Sequence, residues 1–206
     1  MYGLDKHELG ILKRLTSPVI LQDFLESIPY SFDAGRDMLR SPRRVLRERS
    51  AHCIEGALLA AAAMHVQGKP ALLLDLRSTP DDLDHVVTLY RVGKFWGAIS
   101  KTNHVVLRFR DPVYRSVREL AMSYFHEYFL DDGRKTMIDY SDPFDVVRRC
   151  GTDWITSEED IWHVAEQLDE SRHRLIMSAV QRRNLRPADP VEIAAGKLVS
   201  HRDPRK

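Results

Sequence analysis

Cysteine is scarce in this chain of 206 residues, which contains only Cys53 and Cys150. Two thiols make no disulfide framework, and without a Cys-x-x-Cys pair a cysteine zinc site is not expected. Long hydrophobic runs are missing as well, because the longest, at 57–64, falls far short of the roughly 20 apolar residues that span a bilayer. The first ten residues also lack the apolar segment of a signal peptide. We therefore expect a soluble protein of the cytoplasm that does not engage a membrane.

An excess of charge of one sign is absent too, since 31 lysines and arginines face 30 aspartates and glutamates. This balance gives no reason to expect nucleic acid as a partner. Apolar residues make up 43% of the chain and charged residues 30%, which are ordinary proportions for a globular protein. The histidines are scattered and no calcium-type cluster of oxygen ligands is evident, so the sequence predicts no metal site.

The most informative segment is an Ala- and Leu-rich run that begins at Cys53. These residue types favour a helix, and Gly68 followed by Pro70 marks the helix end. Because the run is apolar on nearly every side, we expect this helix to be buried in the centre of the fold.

Shorter segments with strand character follow the central helix. They lie at 71–76, 84–91, 94–99 and 105–109. This order predicts an α+β fold in which the central helix packs on a mostly antiparallel sheet.

The second half of the chain shows helical spacing from residue 117 onward, including an amphipathic helix predicted at 172–183. We therefore assign residues 1–112 to the core and residues 113–206 to a helical C-terminal extension packed on it.

Six arginines cluster just before Cys53. They are Arg36, Arg40, Arg43, Arg44, Arg47 and Arg49. The cluster is either an anion site beside Cys53 or a solvated face paired with nearby acidic residues, and the balanced overall charge favours the second interpretation.

Cys53 stands at the N-terminal edge of the predicted central helix. Unpaired backbone N–H groups and the helix dipole stabilise a thiolate there, which predicts a lowered thiol pKa. The thiolate is the reactive form, and the same N–H groups can hold a developing oxyanion. On position alone, a catalytic nucleophile and a small buried hydrophobic residue are equally good interpretations of Cys53.

His85 opens the second predicted strand, from which its imidazole can reach the thiol and act as a general base. A lone histidine at a strand end is more often a surface residue, so the hypothesis depends on the pairing with Cys53. A third group should orient the imidazole, and Ser100 and Asn103 both lie on or just after the next strand. Trp96 has the same side-chain parity as Ser100 on that strand.

The segment SPRRVLRERSAHCIEGALLAAAAMHVQGKPALLLDL resembles the core motif of transglutaminase-like proteins, which share the papain-type fold. The motif has an acidic residue shortly after a nucleophile Cys, an Ala/Leu-rich helix, and a Gly-x-Pro-Ala turn into a strand. The matching residues are Cys53, Glu55, Ala57, Gly68, Pro70 and Ala71. The later segment DHVVTLYRVGKFWGAIS resembles the family's His strand and Trp strand, with matches at His85 and Trp96.

The resemblance implies hydrolysis or acyl transfer at an amide bond of a peptide or other amide substrate, through an acyl-enzyme and without a cofactor. Cys53 is implied as the nucleophile, His85 as base and acid, Ser100 as the orienting residue, and Trp96 as part of the substrate site. The family usually has Asp four positions after the Trp, where this chain has Ser100. A hydroxyl brings no negative charge to an imidazolium, and Asn103 is the alternative orienting residue.

Two other kinds of function fit the same sequence. The missing Asp favours a catalytically degenerate transglutaminase-like scaffold that binds a peptide or protein partner. A structural or assembly subunit that uses the C-terminal helices as its interaction surface is the third. A perturbed thiol distinguishes the enzyme from the scaffold, and the oligomeric state is not indicated by the sequence.

Overall fold

The structure, a computed structural model, describes residues 2–32 and 38–203. It has the predicted α+β architecture, built on a single seven-stranded sheet whose strand pairs are antiparallel. No helix among the described residues is long and apolar enough to cross a membrane.

The helices of the described part of the chain are mostly short. They are α1 (Lys6–Arg14), α2 (Pro18–Glu26), α3 (Pro42–Glu48), α4 (Cys53–Val66), α5 (Val117–Phe125), α6 (Val146–Cys150), α7 (Trp162–Asp169), α8 (Ala179–Arg183) and α9 (Pro190–Gly196). The strands are β1 (Leu72–Arg77), β2 (His85–Val92), β3 (Phe95–Ile99), β4 (Arg110–Tyr114), β5 (Asp139–Ser141), β6 (Phe144–Asp145) and β7 (His173–Leu175).

Helix α4 is the buried centre of the molecule, as predicted, because ten of its 14 residues are buried. It packs on the sheet, where the Thr88 hydroxyl of β2 donates a 2.6 Å hydrogen bond to the Ala57 carbonyl oxygen. Thr88 lies three residues after His85 and Ala57 lies four after Cys53, so the contact brings the starts of the helix and the strand to the same end of the fold.

The sheet has the strand order β4-β3-β2-β1-β5-β7, with β6 also paired to β1. Alternate residues of β1 and β2 point to opposite faces, each of which buries a separate apolar core. Leu73 and Val86 pack with α4, whereas Leu74, Val87 and Leu89 pack with α5. The sheet is therefore covered on both sides.

The second half of the chain differs from the predicted helical extension because it supplies strands β5, β6 and β7 to the same sheet as β1 and β2. Residues 173–175, predicted as helical, form β7 instead, since they pair with β5 at the edge of the sheet. The predicted strand at 105–109 is also wrong, because the fourth strand comes later, at β4.

Four of the five described arginines in the cluster before Cys53 form ion pairs, as predicted, whereas Arg49 lies over the Phe24 ring. Arg40 contacts Glu55, Arg43 contacts Glu8, Arg44 contacts Asp160 and Arg47 contacts Glu158. Arg36 lies outside the described residues. Since these acids neutralise the guanidinium groups they contact, those four arginines offer no strong anion site.

Candidate active site

One cavity of about 480 Å³ is lined by both Cys53 and His85. This volume lies within the range of roughly 300–1,000 Å³ that small-molecule sites occupy. Cys53 is the first residue of α4 and His85 is the first residue of β2, so each side chain stands where its element begins. The packing of α4 on β2 thus places the two predicted reactive groups at one cavity.

The backbone N–H groups of Ile54 and Val86 act on the Cys53 thiol in the direction that lowers its pKa. Val86 directly follows His85 in β2. The start of β2 therefore influences the thiol at the residue next to His85, and Cys53, His85 and Val86 all line the same cavity.

The His85 imidazole is oriented by Ser100, whose Oγ lies 2.8 Å from Nε2. Ser100 Oγ donates its own proton to the Leu107 carbonyl oxygen at 2.5 Å, so it can only accept from the ring. Nε2 therefore carries the hydrogen, and the neutral ring can take up a proton only at Nδ1. Nδ1 is the nitrogen left for the thiol.

Two further side chains, those of Gln22 and Glu127, hold Ser100 and Leu107 in place. The Gln22 side-chain amide of α2 makes two hydrogen bonds to the backbone of Ser100, with N–H to Oε1 at 2.9 Å and Nε2 to C=O at 2.8 Å. Leu107 has a left-handed φ of 59°, and its N–H donates to the Glu127 carboxylate at 2.6 Å. A non-glycine residue in this conformation is strained, and such strain is often found at functional sites.

We expect Gln22→Leu to lower the free energy of unfolding by about 2 kcal/mol, because two buried backbone groups of Ser100 lose their partners. The same change should slow any reaction that needs His85, since Ser100 is no longer fixed. Urea denaturation measures the change in the free energy of unfolding. Glu26→Ala is the control, because Glu26 contacts the Gln22 side chain at 3.1 Å and Arg108 at 3.8 Å but not the backbone of Ser100. An equal loss in both variants would contradict the role of the Ser100 contacts.

The thiol pKa prediction is wrong: burial raises the pKa of Cys53 to about 11. The two backbone N–H groups act in the opposite direction, but the negative charges of Asp75 and Glu55 add to the effect of burial. Here the free-energy cost of removing a thiolate from water exceeds the stabilisation that the helix N-terminus gives it.

Burial also lowers the pKa of His85 to about 4, although the nearby Leu107 backbone favours the charged ring. At neutral pH the resting pair is consequently an uncharged thiol beside an uncharged imidazole, not a thiolate–imidazolium ion pair. Such a pair can work only if the proton moves to His85 as the sulfur attacks.

The other two residues singled out from the sequence lie elsewhere. Trp96 lines a second cavity with Leu72 and Arg91, because it stands near the far end of β3 from Ser100. Asn103 binds the backbone of His201 with both atoms of its side-chain amide. Of the two candidates for the orienting residue, the structure thus brings only Ser100 to the imidazole.

Several residues of the cavity wall were not found from the sequence. Asp75 of β1 lines the cavity, and its negative charge raises the pKa of the Cys53 thiol. Tyr128 also lines the cavity and donates a hydrogen bond from its hydroxyl to the Leu76 carbonyl oxygen at 3.1 Å. Leu107 and Glu127 complete the support of Ser100. No local pattern marks these residues, since they come from three separate segments and act only through their places in the fold.

The segment after α9 forms another part of the wall. Leu198 and Ser200 make backbone hydrogen bonds to Val105 and Asn103, at 3.0 and 2.8 Å, and Gly196 and Lys197 line the cavity. The cavity is therefore bounded by residues from both halves of the chain.

Comparison with known proteins adds no family assignment. No protein-family model matches the chain. No curated protein matches it either. Any function must accordingly be argued from the arrangement of Cys53, His85 and Ser100 itself.

Proposed function

We propose that this chain is a transglutaminase-like enzyme that transfers or hydrolyses the acyl group of a peptide or other amide substrate through Cys53. The observation that supports the proposal best is the arrangement of Cys53 and His85 on one cavity, with His85 Nε2 held by Ser100 at 2.8 Å. A helix that begins at the thiol, a strand that begins at the imidazole and an orienting residue just past the next strand reproduce the order that the sequence resemblance implies.

In the proposed reaction the Cys53 sulfur attacks the substrate carbonyl while its proton passes to His85 Nδ1. The S–C bond forms, the carbonyl π electrons move to oxygen, and backbone N–H groups of the first turn of α4 stabilise the oxyanion. Collapse of this intermediate breaks the C–N bond, and the proton on His85 leaves with the amine. Water or a second amine then releases the acyl group, with His85 taking and returning one proton.

Ser100 positions the neutral imidazole but brings no charge to the imidazolium that forms. The Leu107 carbonyl, which accepts from Ser100 and is linked to Glu127 through the Leu107 N–H, adds only a dipole. We therefore expect a lower reaction rate than in an enzyme that has a carboxylate in this place. Activated acyl donors are consequently the best first substrates.

We expect an aryl ester such as p-nitrophenyl acetate to acylate Cys53 faster than Cys150. Cys150 is the internal control, because its half-buried thiol contacts Gln167 at 3.5 Å and does not line the cavity. Peptide mass spectrometry after short exposure, with EDTA present, measures both sites in one sample. Equal acylation of the two thiols in the folded protein would contradict the proposal.

A partner-binding scaffold is the second candidate, and the raised pKa of Cys53 is the observation in its favour. In a scaffold the same half-buried thiol is simply part of the wall of a peptide groove. This candidate is preferred if Cys53 stays unmodified while Cys150 is acylated.

A further inference from the structure

Three carboxylates meet at one wall of the Cys53 cavity. Asp75 lies in β1, Asp84 immediately precedes β2, and Asp169 ends α7. Each offers an oxygen atom, and these three atoms all lie within 4.8 Å of one another. All three residues line the cavity. Like charges held so close repel one another unless a cation lies between them.

A second observation concerns Asp75 alone. Its side chain is only 6% exposed, and Oδ2 lies 3.2 Å from His173 Nε2. Oδ1 is buried and makes no hydrogen bond among the described residues. A buried carboxylate oxygen without a partner is costly, so it indicates a ligand that the protein alone does not supply.

We propose that Asp75, Asp84 and Asp169 form a binding site for a hard divalent cation, with calcium as the preferred ion. Carboxylate oxygens are the ligands such ions take, and water would complete the coordination shell. Asp75 would contribute the oxygen that lacks a partner. The site is distinct from the Cys53, His85 and Ser100 arrangement but shares its cavity.

The number of protein carboxylates favours calcium over magnesium. Calcium takes six to eight oxygen ligands in a flexible geometry, whereas magnesium usually keeps several waters and is bound by one or two carboxylates. Three carboxylates whose oxygens lie within 4.8 Å of one another therefore suit calcium better.

Existing contacts of the other two carboxylates do not prevent binding. Asp84 receives the Ser78 N–H and hydroxyl on the same oxygen, Oδ1, at 2.7 and 3.1 Å. Asp169 lies 3.4 Å from Arg77, but both side chains of this pair are partly exposed, and Arg77 also binds Asp139. An exposed pair of this kind is weak and is readily replaced.

A bound cation would also act on Cys53, because Asp75 is one of the negative charges near the thiol. Offsetting that charge makes loss of the thiol proton easier. This consequence rests on the proposed function, whereas ion binding does not, so the two can fail separately.

Binding is tested on the full chain by titrating terbium as a calcium analogue and then displacing it with calcium. Trp162 lines the same cavity and begins the helix that Asp169 ends, so it should sensitise terbium luminescence. Thermal denaturation is the second measurement. We expect calcium at ten times its Kd to raise Tm by about 3–6 °C, and magnesium to do less.

Asp169→Asn should weaken calcium binding at least about 10-fold without loss of the fold, because its side chain is 66% exposed. Asp131→Asn is the matched control, since Asp131 lines the same cavity at 81% side-chain exposure but lies outside the cluster. Absence of a calcium effect on the unmodified chain, or equal binding by the two variants, would overturn the proposal. A magnesium affinity as high as that for calcium would overturn the ion preference.

Discussion

His85→Ala should slow acylation of Cys53 by at least about 100-fold at neutral pH, because general-base transfer of this kind contributes about 10²–10⁴-fold. The effect should be large because the thiol, with a pKa of about 11, supplies almost no thiolate by itself. Single-turnover acylation by the aryl ester, followed by mass spectrometry, gives the rate constants directly.

The pH dependence separates this mechanism from a preformed ion pair. In the unmodified chain the acylation rate should be nearly constant between the pKa of His85 at about 4 and that of Cys53 at about 11, since thiol and imidazole are both neutral throughout. In His85→Ala the rate should rise about tenfold per pH unit, because only the thiolate then reacts.

His104→Ala is the control for this prediction. His104 lines the same cavity, and its ring contacts the Gly196 carbonyl at 3.2 Å, not Ser100. It should keep the flat pH profile. If both histidine variants behave like the unmodified chain, His85 is not the base and the proposed mechanism fails.

Glu55→Ala should lower the free energy of unfolding by about 3–5 kcal/mol, the cost of breaking a buried ion pair from one side. Glu55 is fully buried and accepts hydrogen bonds from the Arg40 N–H at 2.9 Å and from the His52 N–H at 3.0 Å. Its carboxylate also lies 3.3 Å from the buried Arg40 guanidinium. Without Glu55 these donors lose the charge that compensates for their burial.

Urea denaturation with a constant m-value measures this loss. Glu158→Ala is the comparison, because Glu158 pairs with Arg47 at 2.9 Å and both side chains are 56% exposed. It should cost less than about 1 kcal/mol. A similar small effect at Glu55 would show that the buried pair does not hold the start of α4.

The elements around Cys53 were predictable because local composition decides them. The Ala- and Leu-rich run of α4 and the short apolar strands β1, β2 and β3 need no distant partner to be recognised. Strand order also brought Ser100 and Asn103 into consideration as partners of His85, since β2 and β3 are adjacent and antiparallel, but it did not decide between them.

Long-range contacts decide what was not predictable. Strands β5, β6 and β7 have only two or three residues each, too few to show a period, and they form because β1 and β5 offer open edges. The direction of the Cys53 pKa shift depended on how deeply the fold buries the thiol. The carboxylates of Asp75, Asp84 and Asp169 come from separate segments, so no sequence motif marks them.

The position of β1 also has a consequence for how the chain folds during synthesis. β1 (Leu72–Arg77) is a nearly continuous apolar strand with β2 on one side, and its other side is closed by β5 and β6, which are made more than sixty residues later. Until then its backbone N–H and C=O groups form an unprotected edge, the kind that pairs with other chains. A nascent or truncated chain that stops near residue 112 should therefore be prone to aggregation, even though it already contains Cys53, His85 and Ser100.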